Sequence, residues 1–341
     1  MKLFVVAIIK IILDVTMLSF VIQGFNPAGL RRGWVRSFHP TSICHLNRFL
    51  FDPSEVSDDE SVLLGKDDYR TVHAAKILGL KNGDTIRAGV VMDPNSEKEK
   101  YGLKTDEATI EWIPEGKVKK AEVLKNGDPP GSLLVRLSNL SSVSTSPTQC
   151  SVSLILALPR PLQLGRMLPM ISQMGVDHLV LTGAQKVPKD YFGSHLFRKP
   201  EVLRERLIEG LCQAGDVCLP KVHIAKNLAI FLDNELDSFF PTTEYARVLA
   251  HPQRLTDPAE PLRMRDVVFP PEQPPKMVVA VGPEGGWAEP DELDRFQSLG
   301  FQQITLGSRT LRSDCAVISL LSTVTTNSSG GVDQCRDSPM S

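Results

Sequence analysis

The sequence predicts an α/β protein in two parts: a small β-barrel over residues 47–140, then a domain built on a parallel sheet over residues 150–328. Three observations carry this. Short apolar runs separated by polar turns fill the first part, which is the pattern of a small barrel. In the second part apolar runs alternate with helical periodicity, and strands apolar throughout belong to a parallel sheet covered on both faces. Between the two, Ser141–Gln149 reads SSVSTSPTQ, a polar stretch of linker composition.

Residues 1–46 stand apart from both. Leu3–Ile22 is apolar but contains Lys10 and Asp14, which suits a signal-peptide core better than a membrane span. Gln23–Arg48 has no acidic residue and carries Arg31, Arg32, Arg36 and Arg48, a transit-peptide composition. The expectation is a targeting leader and an organellar protein, plastid ahead of mitochondrion, with no membrane segment in the mature form. If the leader is not functional, the location is the cytoplasm.

Within the barrel, RFLF (48–51), SVLL (61–64), TIRAGVV (85–91), ATIEWI (108–113) and SLLVRL (132–137) read as strands. Asp68–Leu78 reads as a short helix with Val72, Ala75 and Leu78 loosely on one face, and KNGD (81–84) as a turn. The second domain offers strands at 153–159, 178–183, 245–252, 277–286 and 302–307. Helical patterns occupy 163–174, 201–214, 290–299 and 313–324. The Pro-rich run 257–275 reads as a surface insertion, and 329–341 as a disordered tail.

The 341 residues are 42% hydrophobic, enough for two cores. A net charge of −2 excludes a uniformly basic nucleic-acid coat, so any RNA contact needs a local patch. The six cysteines show no CxxC pairing and no histidines at zinc spacing, so reduced thiols and no metal site are expected.

Two segments carry chemistry. In VVAVGPEGGWAEPDEL (278–293) an apolar strand runs into Gly285 and Gly286, which allow positive φ and close backbone approach to a ligand. They follow the carboxyl end of a parallel strand, where open α/β sheets bind ligands. The run is neither GxGxxG nor a P-loop, and Pro283 and Glu284 oppose a polyphosphate, so a cationic or zwitterionic ligand fits better. In TLGSRTLRSDCAVISLL (305–321) a strand ends at Leu306–Gly307, Arg309 and Arg312 lie in a loop, and an apolar helix follows with Ser313 or Asp314 near its N-cap. Neither arginine would enter a core cheaply.

Taken together, GPEGG and LGSRTLRSDCA resemble the GPEGG and LGxRxLRxExA pair of the RsmE family, SPOUT-superfamily methyltransferases that act on a uridine of small-subunit ribosomal RNA. RFLFDP and HAAKILGLKNGD (73–84) are similar to the family's opening strand and its HLRxVLRLKxGD segment, so the resemblance runs from about Arg48 to about Val324. It implies a PUA-like RNA-binding barrel, a SPOUT α/β domain with a C-terminal trefoil knot, and a homodimer. It implies S-adenosyl-L-methionine (SAM) as cofactor, held by Val281, Gly282, Pro283, Glu284, Gly285, Gly286, Leu306, Gly307, Leu311 and Arg312. The implied reaction is methylation at N3 of uridine in 16S-type RNA. Arg312, then Arg309, would stabilise the uracil anion, and Glu284 would orient an arginine or face the sulfonium. RNA contacts are expected from Arg48, Arg70, His73, Lys76, Lys81 and Arg87 in the barrel region.

The chain also departs from the pattern. Gln173 replaces a glutamate in ISQMGV, Cys212 and Asp216 stand where Glu and Arg are usual, and Gly79 stands where Arg is usual. Two further readings stay open on these residues: a non-catalytic RNA-binding assembly factor, or a SPOUT enzyme on another RNA.

Overall fold

The computed structural model describes residues 48–94, 102–115, 127–143, 151–254, 260–271 and 274–327. The expected leader and tail lie outside these residues. Among them no helix is long and apolar enough to cross a membrane.

The first sheet contains β1 (Phe49–Phe51), β2 (Ser61–Leu64), β3 (Thr85–Val90), β4 (Gly102–Pro114), β5 (Gly131–Arg136) and β6 (Ser141–Val143). Their order is β1-β3-β4-β5-β2, with β6 paired to β4. Only β1–β3 is parallel. Helix α1 (Tyr69–Lys76) begins where the Asp68 carboxylate accepts from the Arg70 N–H at 2.8 Å, an N-cap, and the chain turns away at Gly79, φ +60°. Phe49, Phe51, Ile110, Trp112 and Leu133 fill the core of this half.

Two elements differ from expectation. β4 starts at Gly102, before the apolar run, because its first half, GLKTDE, buries few side chains and shows no hydrophobic period. The start of the stretch read as a linker, Ser141–Val143, pairs with Gly102–Lys104 as β6.

The second sheet is parallel throughout, in the order β12-β10-β11-β7-β8-β9. Its strands are β7 (Ser151–Ala157), β8 (Val176–Thr182), β9 (Lys221–Ala225), β10 (Tyr245–Ala250), β11 (Lys276–Val281) and β12 (Gln302–Ile304). Helices α2 (Pro161–Gln173), α3 (His195–Arg198), α4 (Pro200–Ala214), α5 (Leu228–Asn234), α6 (Leu236–Phe239), α7 (Asp291–Ser298) and α8 (Ser313–Asn327) accompany it. The central strands β7 and β11 are buried on both faces, as their unbroken apolar runs require. β9 escaped the sequence reading because KVHIA is an edge strand with one buried residue.

The topology locates a site. From β7 the chain moves outward through β8 and β9, then returns to build β10, β11 and β12 on the other side. The direction of winding reverses between β7 and β11, and the crevice outside the carboxyl ends of such strands is where open α/β sheets take ligands.

The two halves meet along a narrow seam. The Met92 N–H donates to the Val217 carbonyl at 2.8 Å, and the Leu219 N–H to the Met92 carbonyl at 3.1 Å. Lys104 pairs with Asp216 at 3.0 Å, and Arg204 with Asp52. Asp216, one of the departures from the family pattern, is thus part of this seam.

Candidate active site

At the switch point, β11 ends at Val281 and the chain folds into a tight turn. The Gly286 N–H donates to the Pro283 carbonyl at 2.8 Å, closing a β-turn over Pro283–Gly286. Gly286 has φ +66°, which side chains adopt only with strain. At Gly282 a β-carbon would lie 3.1 Å from the Trp287 nitrogen, so the start and end of the turn approach too closely for any other residue to sit easily.

Neighbouring loops fix this turn. Glu284 accepts from the Arg160 N–H at 3.1 Å, bridging the ends of β11 and β7. The Lys186 ammonium, on the loop after β8, donates to the carbonyls of Gly285 (2.9 Å) and Trp287 (3.0 Å). The Glu292 carboxylate accepts from the N–H groups of Ala288 (2.6 Å) and Gln185 (2.7 Å). Trp287 is buried against Phe296 with ring centroids 4.8 Å apart. His251, half-buried, approaches from the end of β10, and burial holds its pKa below the ordinary imidazole value.

The second segment leaves β12. Gly307 has φ +121°, and the Thr305 hydroxyl brackets it, accepting from the Gly307 N–H at 3.2 Å and donating to its carbonyl at 2.9 Å. Leu306, Arg309 and Leu311 are exposed. Arg312 reaches Asp314 through Nε at 2.7 Å and through Nη2. Asp314 also accepts from Gln163 Nε2 at 2.6 Å and from the Cys315 N–H at 2.8 Å. The hydrogen bond from Arg312, ahead of the other contacts, pulls the Asp314 pKa down to about 2.

These segments suit a compact zwitterionic ligand. Two polar atoms bordering them, Trp287 Nε1 and Ser313 Oγ, are buried without a hydrogen-bond partner, a rare condition that a bound polar group would relieve. The glycine turn lets a ligand approach the backbone, and the nearby charges, Glu284 and Arg312, are of opposite sign. A cavity of about 230 Å³ lies elsewhere, lined by Leu196, Phe197, Leu207 and Ile224.

A model described as an RNA methyltransferase domain matches residues 146–325, over half of the 341 residues. The chain belongs to the RNA methyltransferase domain family. The ribosomal RNA small subunit methyltransferase E of Treponema pallidum (strain Nichols) is 26% identical over 285 residues, which is 83% of this chain and 91% of that protein. The crystal structure of ribosomal RNA small subunit methyltransferase E from Neisseria gonorrhoeae bound to S-adenosyl methionine shares the fold. Its TM-score is 0.55 at 18% identity, over 83% of this chain and 98% of that one. A Legionella pneumophila methyltransferase in complex with SAM is equally similar, with a TM-score of 0.55 at 19% identity, over 82% of this chain and 97% of that one. The RsmE resemblance read from the two motifs is borne out.

Within the methyltransferase domain, the expected site residues fall on two segments. Val281 to Gly286 form the turn at the end of β11, while Leu306, Gly307, Arg309, Leu311 and Arg312 belong to the segment between β12 and α8. Sequence reasoning missed Arg160 (through its backbone N–H), Gln163, Lys186 and His251, which reach the turns from β7, α2, β8 and β10.

In the first half the structure corrects three expectations. Arg48 is buried, donating to the carbonyls of Ala88 (2.7 Å) and Thr105 (2.8 Å) and pairing with Asp106 at 2.6 Å. Arg70 is buried between Glu55 (2.6 Å) and Asp68 (2.8 Å) and donates to the Leu50 carbonyl at 3.0 Å. His73 is buried edge-on to Phe49. Arg48 and Arg70 organise the fold from inside, because buried charges persist only when paired and hydrogen-bonded, and His73 packs in the core beside them. Lys76, Lys81 and Arg87 are exposed, Lys76 pairing with Asp128 at 2.9 Å.

Proposed function

We propose that this chain methylates N3 of a uridine in small-subunit ribosomal RNA, using SAM. The observation that carries the reading is the pairing, in a member of the RNA methyltransferase domain family, of the Gly282–Gly286 turn at the sheet's switch point with the Arg312 segment. The relatives from Treponema and Neisseria, named for small-subunit methylation, support the RNA class. The cofactor, when bound, supplies a methyl group on a sulfonium.

The backbone from Val281 to Gly286, with Leu306, Gly307, Leu311 and Arg312, would hold it. The Arg312 guanidinium stabilises negative charge on the uracil ring as the N3 proton leaves, and positioning does much of the remaining work. Arg309, exposed on the same segment, takes an RNA phosphate. Glu284 acts by orientation, since its carboxylate already caps the Arg160 N–H.

The first half is read as the PUA-like barrel, with Lys76, Lys81 and Arg87 as its phosphate contacts, and the 305–312 segment leading into α8 as the trefoil knot. The exposed apolar side chains Leu162 and Met170 on α2 and Ile318 on α8 support a homodimer packed through these helices. The leader composition supports organellar import.

Labelled cofactor and small ribosomal subunits test the reaction, with the modified nucleotide mapped by mass spectrometry. One labelled small-subunit uridine, methylated at N3, is expected. Folded, cofactor-binding protein that labels no RNA would overturn the proposal.

A further inference from the structure

We propose that Asp314, anchored by Gln163, is a positioning residue that presets the Arg312 guanidinium for its part in methyl transfer. The inference rests on the role given to Arg312 above.

The argument starts from the carboxylate. Oδ1 accepts from Arg312 Nε (2.7 Å) and from the Cys315 N–H (2.8 Å), while Oδ2 accepts from Arg312 Nη2 and from Gln163 Nε2 (2.6 Å). An ionised carboxylate offers about four lone-pair sites, and all four are used. Asp314 has no capacity left to take a proton from substrate, so it is a holder and not a base. The Arg312 side chain is 66% exposed and that of Asp314 only 12%. The fixed member is therefore the inner one, and it displays the outer one toward solvent. An exposed arginine left alone would spread over many rotamers. A two-point grip on Nε and Nη2 restricts it to one plane and leaves Nη1 outside the grip.

Gln163 matters because of where it stands. It lies in the first turn of α2, just after β7, and Asp314 lies in the first turn of α8, 151 positions later. Their hydrogen bond ties the start of α8 to the β7 side of the switch point, the same side on which Glu284 meets Arg160. The direction of Arg312 is thus set relative to the glycine turn, not only relative to its own helix.

The test uses Asp314→Asn, Asp314→Glu and Gln163→Leu in the full chain. Asp314→Asn keeps the volume but sets an amide donor against donors from Arg312 and Gln163. It should lower kcat roughly 10–100-fold, the order expected for a small misplacement. SAM affinity by calorimetry and the melting temperature should stay close to wild type. Asp314→Glu, which restores a carboxylate, should recover most of the rate. Gln163→Leu should give a smaller loss in kcat with KM for RNA unchanged. Arg312→Ala combined with Asp314→Asn should be no slower than Arg312→Ala alone, since residues acting as a unit are not additive.

Wild-type kcat in Asp314→Asn overturns the proposal, and so does a loss confined to cofactor affinity. If Asp314→Asn does not fold, an unchanged kcat in Gln163→Leu has the same force. A wild-type protein that methylates no RNA counts against the proposed reaction instead. In that case the Arg312 Nε–H resonance decides the positioning, which requires exchange protection in wild type and Asp314→Glu and its loss in Asp314→Asn.

Discussion

Gly286 and Gly285 are adjacent, yet they are needed for different reasons. At Gly286 a β-carbon would have space, its nearest neighbour being His251 Cε1 at 3.8 Å, but φ is +66°. The obstacle is backbone strain of about 1–2 kcal/mol. At Gly285 φ is ordinary and the β-carbon would meet Lys186 Cδ at 3.2 Å, a flexible neighbour that can yield. Gly286→Val should therefore weaken cofactor binding by roughly tenfold or more by calorimetry, while circular dichroism shows the protein still folded. Gly285→Ala should weaken binding far less. Equal effects would mean that the turn does not hold the ligand. His178 and His251 permit a second prediction at this scale. Both have pKa values pushed below the ordinary 6.5, first by burial; Lys221 also lowers His178, and Arg254 and Lys186 lower His251, while Asp177 and Glu289 oppose the shifts. Below pH 6.5 the unfolded chain binds protons that the folded chain resists, so stability rises with pH across that interval. The melting temperature should fall between about pH 7 and about pH 5.5, and His178→Gln should flatten the slope. The glycines and Arg312 were legible in sequence because they stand in ordered motifs. Arg48 and Arg70 were misread because a sequence shows charge but not the acids that meet it: Asp106 lies 58 positions from Arg48, and Glu55 lies 15 from Arg70.

Among the elements, the turn after β11 depends on a residue outside any motif. Lys186 reaches from the loop after β8 to two carbonyls, Gly285 and Trp287. A single lysine in GAQKVPKD has no periodicity or spacing to mark it, so only the strand order β11-β7-β8 makes its role visible. Lys186→Met keeps the apolar stem and removes both hydrogen bonds, each worth about 1 kcal/mol net. The expected result is cofactor affinity lower by roughly tenfold, since every 1.4 kcal/mol is a factor of ten and the loop relaxes in part. The melting temperature should fall by a few degrees as well, because the same two hydrogen bonds hold the folded loop. Unaltered affinity would show that the turn is rigid without its clamp. The same contrast separates the strands that the sequence disclosed from those that it hid. β7 and β11 end in apolar runs, LILA and MVVAV, and were plain, whereas β6 and β9 are short and largely exposed, with their backbone pairing alone defining them.

At the scale of the molecule, the seam decides whether the halves act together. Val217 sits against two glycines of the first sheet: a β-carbon on Gly89 would come within 2.6 Å of Val217 Cγ1, and one on Gly102 within 2.3 Å of Val217 Cγ2. Backbone bonds on either side of Cys218, from the Val217 carbonyl and the Leu219 N–H, make this short run an added edge partner for Met92. The arrangement was not legible beforehand, because nothing in VCLP marks it as a joint and a glycine in a strand shows only that something comes close. Its consequence is that the sheet carrying Arg87 is joined to the parallel-sheet half by backbone and side-chain contacts together. Gly102→Ala should destabilise the protein by about 1–3 kcal/mol in urea, because β-branched Val217 cannot turn aside freely. Val217→Ala in the same chain should restore most of that loss, a non-additivity expected only for residues in contact. If the seam also sets how RNA is presented, Gly102→Ala should lower the rate of methyl transfer while SAM affinity, assigned in the proposal to turns at the carboxyl end of the parallel sheet, stays within about twofold. A rate that falls only in step with the fraction unfolded would reduce the seam to a stabilising contact and leave the two halves to bind RNA independently.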